Sequence, residues 1–267
     1  MLVIFLRFLK DRKISLLIFC LAGIVLLWMY IALFPSIQQQ SESFNELMKN
    51  YPESFAKAFG LDEITFDTLE NFLSMEQFSI IWPIMVIFML IAIAGNSLAG
   101  EIERGTVELL LSRPVSRIKI FFSKYFVGIF SLFAFSITSI FAVFPLAKIH
   151  NIDFVAPNYV SLALISFLFG WAVFSLAIFF SAIFSERSKV YMSAGGILIA
   201  MYVLNLISSL KENFDGLKYG SFFHYYSSND ALIHNTLNLT SILIFVLSSI
   251  LLTGLALYFF NKRDIAI

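Results

Sequence analysis

The chain has 267 residues, of which 59% are hydrophobic and 13% charged, and its mean hydropathy is +0.86. A soluble domain carries about 25% charged residues, so this composition excludes an ordinary soluble protein. The 18 basic residues balance the 18 acidic ones. Net charge therefore indicates no class of partner, and only the distribution of charge along the chain is informative.

Six apolar segments are long enough to cross the hydrocarbon core of a bilayer, which takes about 20 residues per helix. They lie at 14–34, 78–98, 125–147, 159–183, 190–210 and 239–260, and none contains Asp, Glu, Lys, Arg or His. The pattern predicts an all-α, polytopic membrane protein with six transmembrane helices in one domain over residues 1–267. Because charged residues inside spans mark proton relays and ion pathways, their absence argues against an ion pump or a proton-coupled carrier.

The longest connector, 35–77, carries eight acidic residues against two lysines. The spacing of Ser43 and Glu46 is typical of a helix capping box, and apolar residues follow at helical intervals. A second short helix is predicted to start at Asp67, and Ser74 repeats the capping pattern before the second span. We interpret this long first outer loop as two amphipathic helices, which either cap the bundle or bind substrate.

The basic residues are distributed unevenly between the two sides of the membrane. With six spans, thirteen of them fall on the side of the two termini and five on the other side. Because basic residues are retained in the cytoplasm during insertion, both termini are predicted to be cytoplasmic, in a plasma-membrane protein. The segment 101–124, here called the inner loop, is then cytoplasmic as well.

Motifs for catalysis, metal binding and nucleotide binding are absent from the sequence. No GxxxxGK[ST] segment is available to bind the phosphates of a nucleotide. The three histidines, His150, His224 and His234, lack the spacing of metal ligands. We therefore expect no catalytic residue, no metal site and no cofactor bound by this chain.

The inner loop has the features of a short helix between two spans. Thr106 is suited to cap it, Glu108 stabilises its positive end, and Pro114 stops it. Ser116 is placed to cap the helix that leads into the third span. A helix of about seven residues is not stable alone, so it needs the lipid headgroups or a cytoplasmic protein as a surface. The residues of its apolar face are Val107, Leu110 and Leu111.

The segment 99–117, AGEIERGTVELLLSRPVSR, resembles the signature of the ABC type-2 permeases, the membrane subunits of one class of ATP-driven exporters. In that family the short loop helix, called the coupling helix, docks in a cleft of a separate ATPase. The N-terminal segment 2–13 resembles the family's connecting helix, although it also fits a simple positive anchor for the first span. The positions that match the family's docking segment are Glu101, Glu103, Gly105, Thr106, Val107, Glu108, Leu109, Leu110, Leu111, Pro114 and Arg117.

The resemblance implies a permease subunit of an ABC exporter, paired with a second copy or a paralogue. Two ABC ATPase subunits would bind the ATP and Mg, and membrane lipid would be the other partner, with no nucleic acid. Two alternatives remain open: the membrane anchor of a non-transporting ABC complex for assembly, signalling or motility, and a membrane-embedded enzyme. The polar residues that are candidates to line a path between two permease subunits are Asn96, Ser136, Thr138 and Asn205.

Overall fold

The computed structural model of the chain describes residues 2–40, 66–106, 115–210 and 212–263. Within these ranges every regular element is helical. A π-helical stretch, Ser74–Ile81, joins α2 to α3, and a 3-10 stretch covers Glu212–Gly220. The α-helices are α1 (Leu2–Gln38), α2 (Leu69–Leu73), α3 (Trp82–Gly95), α4 (Leu98–Glu103), α5 (Arg117–Phe141), α6 (Val143–Ile149), α7 (Ala156–Ile183), α8 (Arg187–Leu210), α9 (Phe222–Tyr225), α10 (Ser228–Leu232) and α11 (Leu239–Lys262).

Six helical units are long and apolar enough to cross a membrane, which confirms the predicted all-α polytopic architecture. Each contains or overlaps one predicted segment. The second unit ends at Gly95 instead of residue 98, because the helix breaks there, and the third bends at Ala142. The units are Phe5–Gln38, Leu69–Gly95, Arg117–Ile149, Ala156–Ile183, Arg187–Leu210 and Leu239–Lys262.

Helix α7 lies at the centre of the bundle. In the most apolar 18-residue stretch of this helix, 72% is buried, against 17% in the corresponding stretches of the first, fifth and sixth spans. It packs against α11, α3 and α5. The approach to α5 is close at Gly128, where a Cβ atom would lie 2.0 Å from the ring of Phe174. The fourth span is therefore the central helix of the bundle, in contact with the second, third, fifth and sixth spans, and the first span packs on the third.

Helix α1 is continuous from Leu2 to Gln38. The segment 2–13, predicted as a connecting helix or an anchor, is therefore not a separate helix but the inner end of the first span. Its Phe8 ring lies 4.4 Å from the ammonium nitrogen of Lys124 on α5. The N-terminal turns of α1 thus pack beside the end of the inner loop.

The outer connector matches its prediction in one part and differs in another. The predicted second short helix exists as α2, but its cap is Thr68, whose Oγ1 accepts a hydrogen bond from the N–H of Asn71 at 3.3 Å. Ser74 does not cap a helix, because the chain is already helical there, and its hydroxyl instead bonds Asn229 at 2.7 Å. The helix predicted after Ser43 lies outside the described residues.

Candidate functional site

The second span does not run unbroken into the inner loop. Helix α3 ends at Gly95, Ser97 has a φ of −77° and a ψ of −82°, and α4 begins at Leu98. A break of this kind interrupts the i to i−4 hydrogen bonds of the helix, and buried backbone groups then need other partners. Side chains from two neighbouring helices provide them.

Ser181 of α7 and Lys124 of α5 bind the backbone at this break. The Ser181 hydroxyl donates to the carbonyl of Ala94 at 2.6 Å and accepts from the N–H groups of Leu98 and Ala99 at 3.3 and 3.0 Å. The Lys124 ammonium donates to the Ser97 carbonyl at 2.5 Å. The break is therefore a hydrogen-bonded feature of the bundle.

Helix α4 ends in a Schellman motif at Gly105. The N–H of Gly105 bonds the carbonyl of Ile102 at 3.0 Å, and the N–H of Thr106 bonds the carbonyl of Glu101 at the same distance. Gly105 has a φ of +68°, a conformation that costs a residue with a Cβ atom about 1 kcal/mol. Residues 103–106 of the predicted docking segment, Glu-Arg-Gly-Thr, thus form the C-terminal cap of α4.

Glu101 lies at the centre of a charged cluster below the break. Its carboxylate is 3.3 Å from the Lys124 ammonium and 3.6 Å from the Arg104 guanidinium, and it accepts a short hydrogen bond from the Thr106 hydroxyl. Partial burial acts to raise the pKa of Glu101, but Lys124, Thr106 and Arg104 together hold that pKa below its ordinary value. The carboxylate is therefore a charged link between the start of the inner loop and α5.

Glu103 forms a second link, to α8. Its Oε2 is 2.8 Å from Nε of Arg187 and also accepts from the Arg187 N–H at 3.0 Å, and these hydrogen bonds lower the pKa of Glu103. Arg187 also donates to the side-chain oxygen of Asn96 at 3.1 Å, and the Asn96 amide donates to the hydroxyl of Tyr191 at 3.0 Å. The start of the inner loop is thereby connected to the fifth span as well as the third.

The far end of the inner loop is connected to the sixth span. Ser116 caps α5 as predicted, accepting from the N–H of Lys119 at 3.4 Å. Arg117 donates to the carbonyl of Arg263, at the end of α11, at 2.5 Å. The Arg263 guanidinium in turn donates to the carbonyl of Phe184, after α7, at 2.9 Å.

The structure brings Glu101, Glu103, Gly105 and Thr106 together at one end of the inner loop and places Arg117 at the other. Residues 107–114, and with them the predicted loop helix and its contacts, lie outside the described part of the chain. The predicted docking residues in that gap are Val107, Glu108, Leu109, Leu110, Leu111 and Pro114.

Three residues of this site are not among those predicted from the sequence: Lys124, Ser181 and Arg187. The six predicted segments contain no charged residue, but the helical unit of the third span starts before its predicted segment and includes Lys124, of which only 3% is exposed. It precedes the predicted third span by one residue, where a lysine is normally interpreted as a cytoplasmic anchor. Two further carboxylates, Glu70 and Glu76, lie within the helical unit of the second span, and Glu70 is buried.

Two of the four candidate path residues already have hydrogen-bond partners. Asn96 bonds Arg187 and the carbonyl of Ala92, and the Thr138 hydroxyl bonds the carbonyl of Ala134 on its own helix. The Ser136 hydroxyl is buried without a hydrogen-bond partner. Among the described residues, no group of His, Cys, Asp and Glu side chains is arranged to bind a metal ion.

An apolar groove of about 540 Å³ runs along the surface between α3 and α8. Its walls are aliphatic and aromatic side chains, and its polar groups are the hydroxyls of Ser79, Tyr191 and Tyr202. The groove ends at Tyr191, beside the Asn96 network. The site thus combines a charged inner end with an apolar concave face along the second and fifth spans.

Replacing Gly105 with alanine is expected to distort the start of the inner loop at a cost of about 1 kcal/mol, because alanine disfavours a positive φ. The matched control is Gly254→Ala in α11, where an added Cβ meets no atom within 4 Å. Thermal unfolding of the purified variants measures the difference. Equal melting temperatures for the two variants would contradict the role of Gly105 as the left-handed stop of α4.

The comparisons with known proteins agree with this geometry. A family model described as ABC-2 family transporter protein matches residues 5–265, nearly the whole chain. No curated protein matches the sequence. The match includes all six helical units and both ends of the inner loop. The chain therefore belongs to the ABC-2 family of transporter proteins, as a multi-pass membrane subunit of an ABC transporter.

Proposed function

We propose that this chain is the permease subunit of an ATP-driven exporter, and that its inner loop transmits the movement of a separate ATPase to the spans. The supporting observation is the set of connections at both ends of the loop. A loop that only joined two spans would not need an ion pair to α8 and a hydrogen bond to the end of α11.

The connections define how movement of the loop would reach the bundle. A displacement at Thr106 pulls on Glu101 and so on Lys124 of α5, and through Glu103 it pulls on Arg187 of α8. A displacement at Arg117 acts on the end of α11. Because each contact includes a charged group, it is stronger than a neutral hydrogen bond. The loop would therefore move the third, fifth and sixth spans together.

The proposed partner at the loop is an ABC ATPase, which would bind ATP and Mg. Between these two ends, the sequence predicts a short helix with an apolar face of Val107, Leu110 and Leu111. A protein cleft buries such a face on all sides, whereas the headgroup layer covers one side only. The thirteen-to-five distribution of basic residues supports a cytoplasmic location of this loop and both termini, on the same side as the proposed ATPase.

The proposed second partner is another permease, at the face formed by α3 and α8. The fifth span is among the least buried of the six, and Gly196 and Ala200 on its exposed side would allow a second helix to come close. The groove of about 540 Å³ opens on this face. Its apolar walls and few hydroxyls fit an amphipathic or lipophilic cargo better than a bare ion.

The isolated chain is expected to bind no nucleotide and to hydrolyse no ATP, because it has no phosphate-binding loop. When it is co-expressed with an ABC ATPase from a neighbouring reading frame, the two should co-purify and the complex should hydrolyse ATP. Binding is measured by calorimetry on the chain alone and hydrolysis by phosphate release. Saturable ATP binding by the isolated chain would contradict the proposal that a partner supplies the energy.

A further inference from the structure

The break between α3 and α4 has an identifiable cause. Sharp kinks arise at proline, at glycine and serine, or where a side chain inserts into the hydrogen-bond ladder. The proline of this span, Pro83, is at the start of α3, whereas the break contains Ser97 and receives the inserted hydroxyl of Ser181. The backbone groups at the break bond to other helices through Ser181 and Lys124. The break is thus held from outside the second span.

The two half-helices pack closely at this point. A Cβ atom on Gly100 would lie 3.1 Å from the carbonyl oxygen of Gly95, and one on Gly95 would lie 2.2 Å from the ring of Tyr191. Ala94 and Ala99, on either side, are fully buried. The contact between Gly100 and the carbonyl of Gly95 is therefore one between backbone atoms, so no side chain fixes the angle between α3 and α4 at this point.

Ser181 is placed to hold both sides of the break with a single hydroxyl group. It donates to Ala94 in the last turn of α3 and accepts from Leu98 and Ala99 in the first turn of α4. Its own helix, α7, is the most buried of the spans. One fixed atom at the centre of the bundle therefore bonds both arms of the broken helix.

We propose that the break between α3 and α4 is a hinge and that Ser181 is the positioning residue at its centre. The inference rests on the proposed function, since the movement that bends the hinge comes from the inner loop. Helix α4 rotates about the Ser181 hydroxyl while α3 stays in place. Because α4 carries Glu101 and Glu103, its rotation is passed to Lys124 and Arg187.

The test compares Ser181→Ala with Ser166→Ala in the complex with the ATPase. Ser166 lies on the same helix, is equally buried and bonds the Tyr226 hydroxyl at 3.2 Å, away from the break. Hydrogen-exchange mass spectrometry follows the amides of residues 96–99 with and without a non-hydrolysable nucleotide. In the unchanged protein, nucleotide is expected to alter exchange at these amides.

Ser181→Ala is expected to speed exchange at Leu98 and Ala99 about tenfold without nucleotide, because both N–H groups lose their acceptor. The same variant should also abolish the nucleotide-dependent change in amide exchange and the stimulation of ATPase activity by the permease. Ser166→Ala should leave the exchange response and the stimulation of ATPase activity intact. Ser181→Thr, which keeps the hydroxyl, should restore both properties. Ser181→Ala should have the lower melting temperature, because it leaves two buried N–H groups without an acceptor, whereas in Ser166→Ala the Tyr226 hydroxyl keeps its bond to the Phe78 carbonyl.

Two results would overturn the hinge: a nucleotide response of Ser181→Ala equal to that of the unchanged protein, or a response in the unchanged protein that lies outside residues 96–99. The proposed function would survive either result if the ATPase still co-purifies. If no ATPase binds the unchanged chain, the proposed function fails. In that case, the rates of amide exchange at Leu98 and Ala99 without nucleotide still test whether Ser181 holds the break.

Discussion

Replacing Glu101 with alanine is expected to destabilise the protein more than any other single change at the inner end of the bundle. The substitution leaves the ammonium of Lys124, only 3% exposed, with the Ser97 carbonyl as its one hydrogen-bond partner. Removing one partner of a buried charged pair costs several kcal/mol, and we expect about 2–3 kcal/mol here because Glu101 is partly exposed to solvent. Thermal unfolding in detergent measures the change.

Two further variants show whether an unpaired charge is the cause. Lys124→Met alone should cost less than Glu101→Ala, because the carboxylate keeps its contacts with Thr106 and Arg104. The double variant Glu101→Ala/Lys124→Met should be more stable than Glu101→Ala alone, because the buried cation is removed. If the double variant is the least stable of the three, the pair acts through packing and the electrostatic explanation is wrong.

Leu110→Asp is expected to weaken binding of the ATPase by at least a factor of ten. Full burial of one leucine contributes about 1.5–3 kcal/mol, and a carboxylate in an apolar cleft adds a desolvation cost. The amount of permease in the membrane should stay the same, since residue 110 lies between the predicted spans. Co-purification with the ATPase and the ATPase rate of the complex are the two measurements.

The matched control for this prediction is Leu109→Asp. Helical periodicity places residue 109 away from the apolar face of Val107, Leu110 and Leu111, so the same chemical change should have a smaller effect there. If Leu110→Asp leaves co-purification and the ATPase rate intact, the loop helix lies on lipid. In that case the inner loop does not dock on a partner.

The number and type of the spans followed from the sequence because a bilayer offers backbone groups no water. Each crossing segment must then be a helix of about 20 apolar residues, and six such segments are visible by inspection. Local chemistry also determined the cap at Ser116, since a serine three residues before Lys119 needs no distant partner. The Gly-Thr pair at the end of α4 is held by local contacts as well, since its hydrogen bonds go to Ile102 and Glu101.

The inner network, in contrast, was decided by the tertiary structure. Ser181 is one of many serines in apolar segments, and its partners Ala94, Leu98 and Ala99 are more than 80 residues away in the chain. Lys124 has the sequence position of a cytoplasmic anchor, but the packing of α1 and α4 against α5 buries it. Hydropathy and local spacing describe how each segment meets the bilayer. Which buried polar groups meet each other depends on how the helices pack, and that arrangement leaves no local pattern in the sequence.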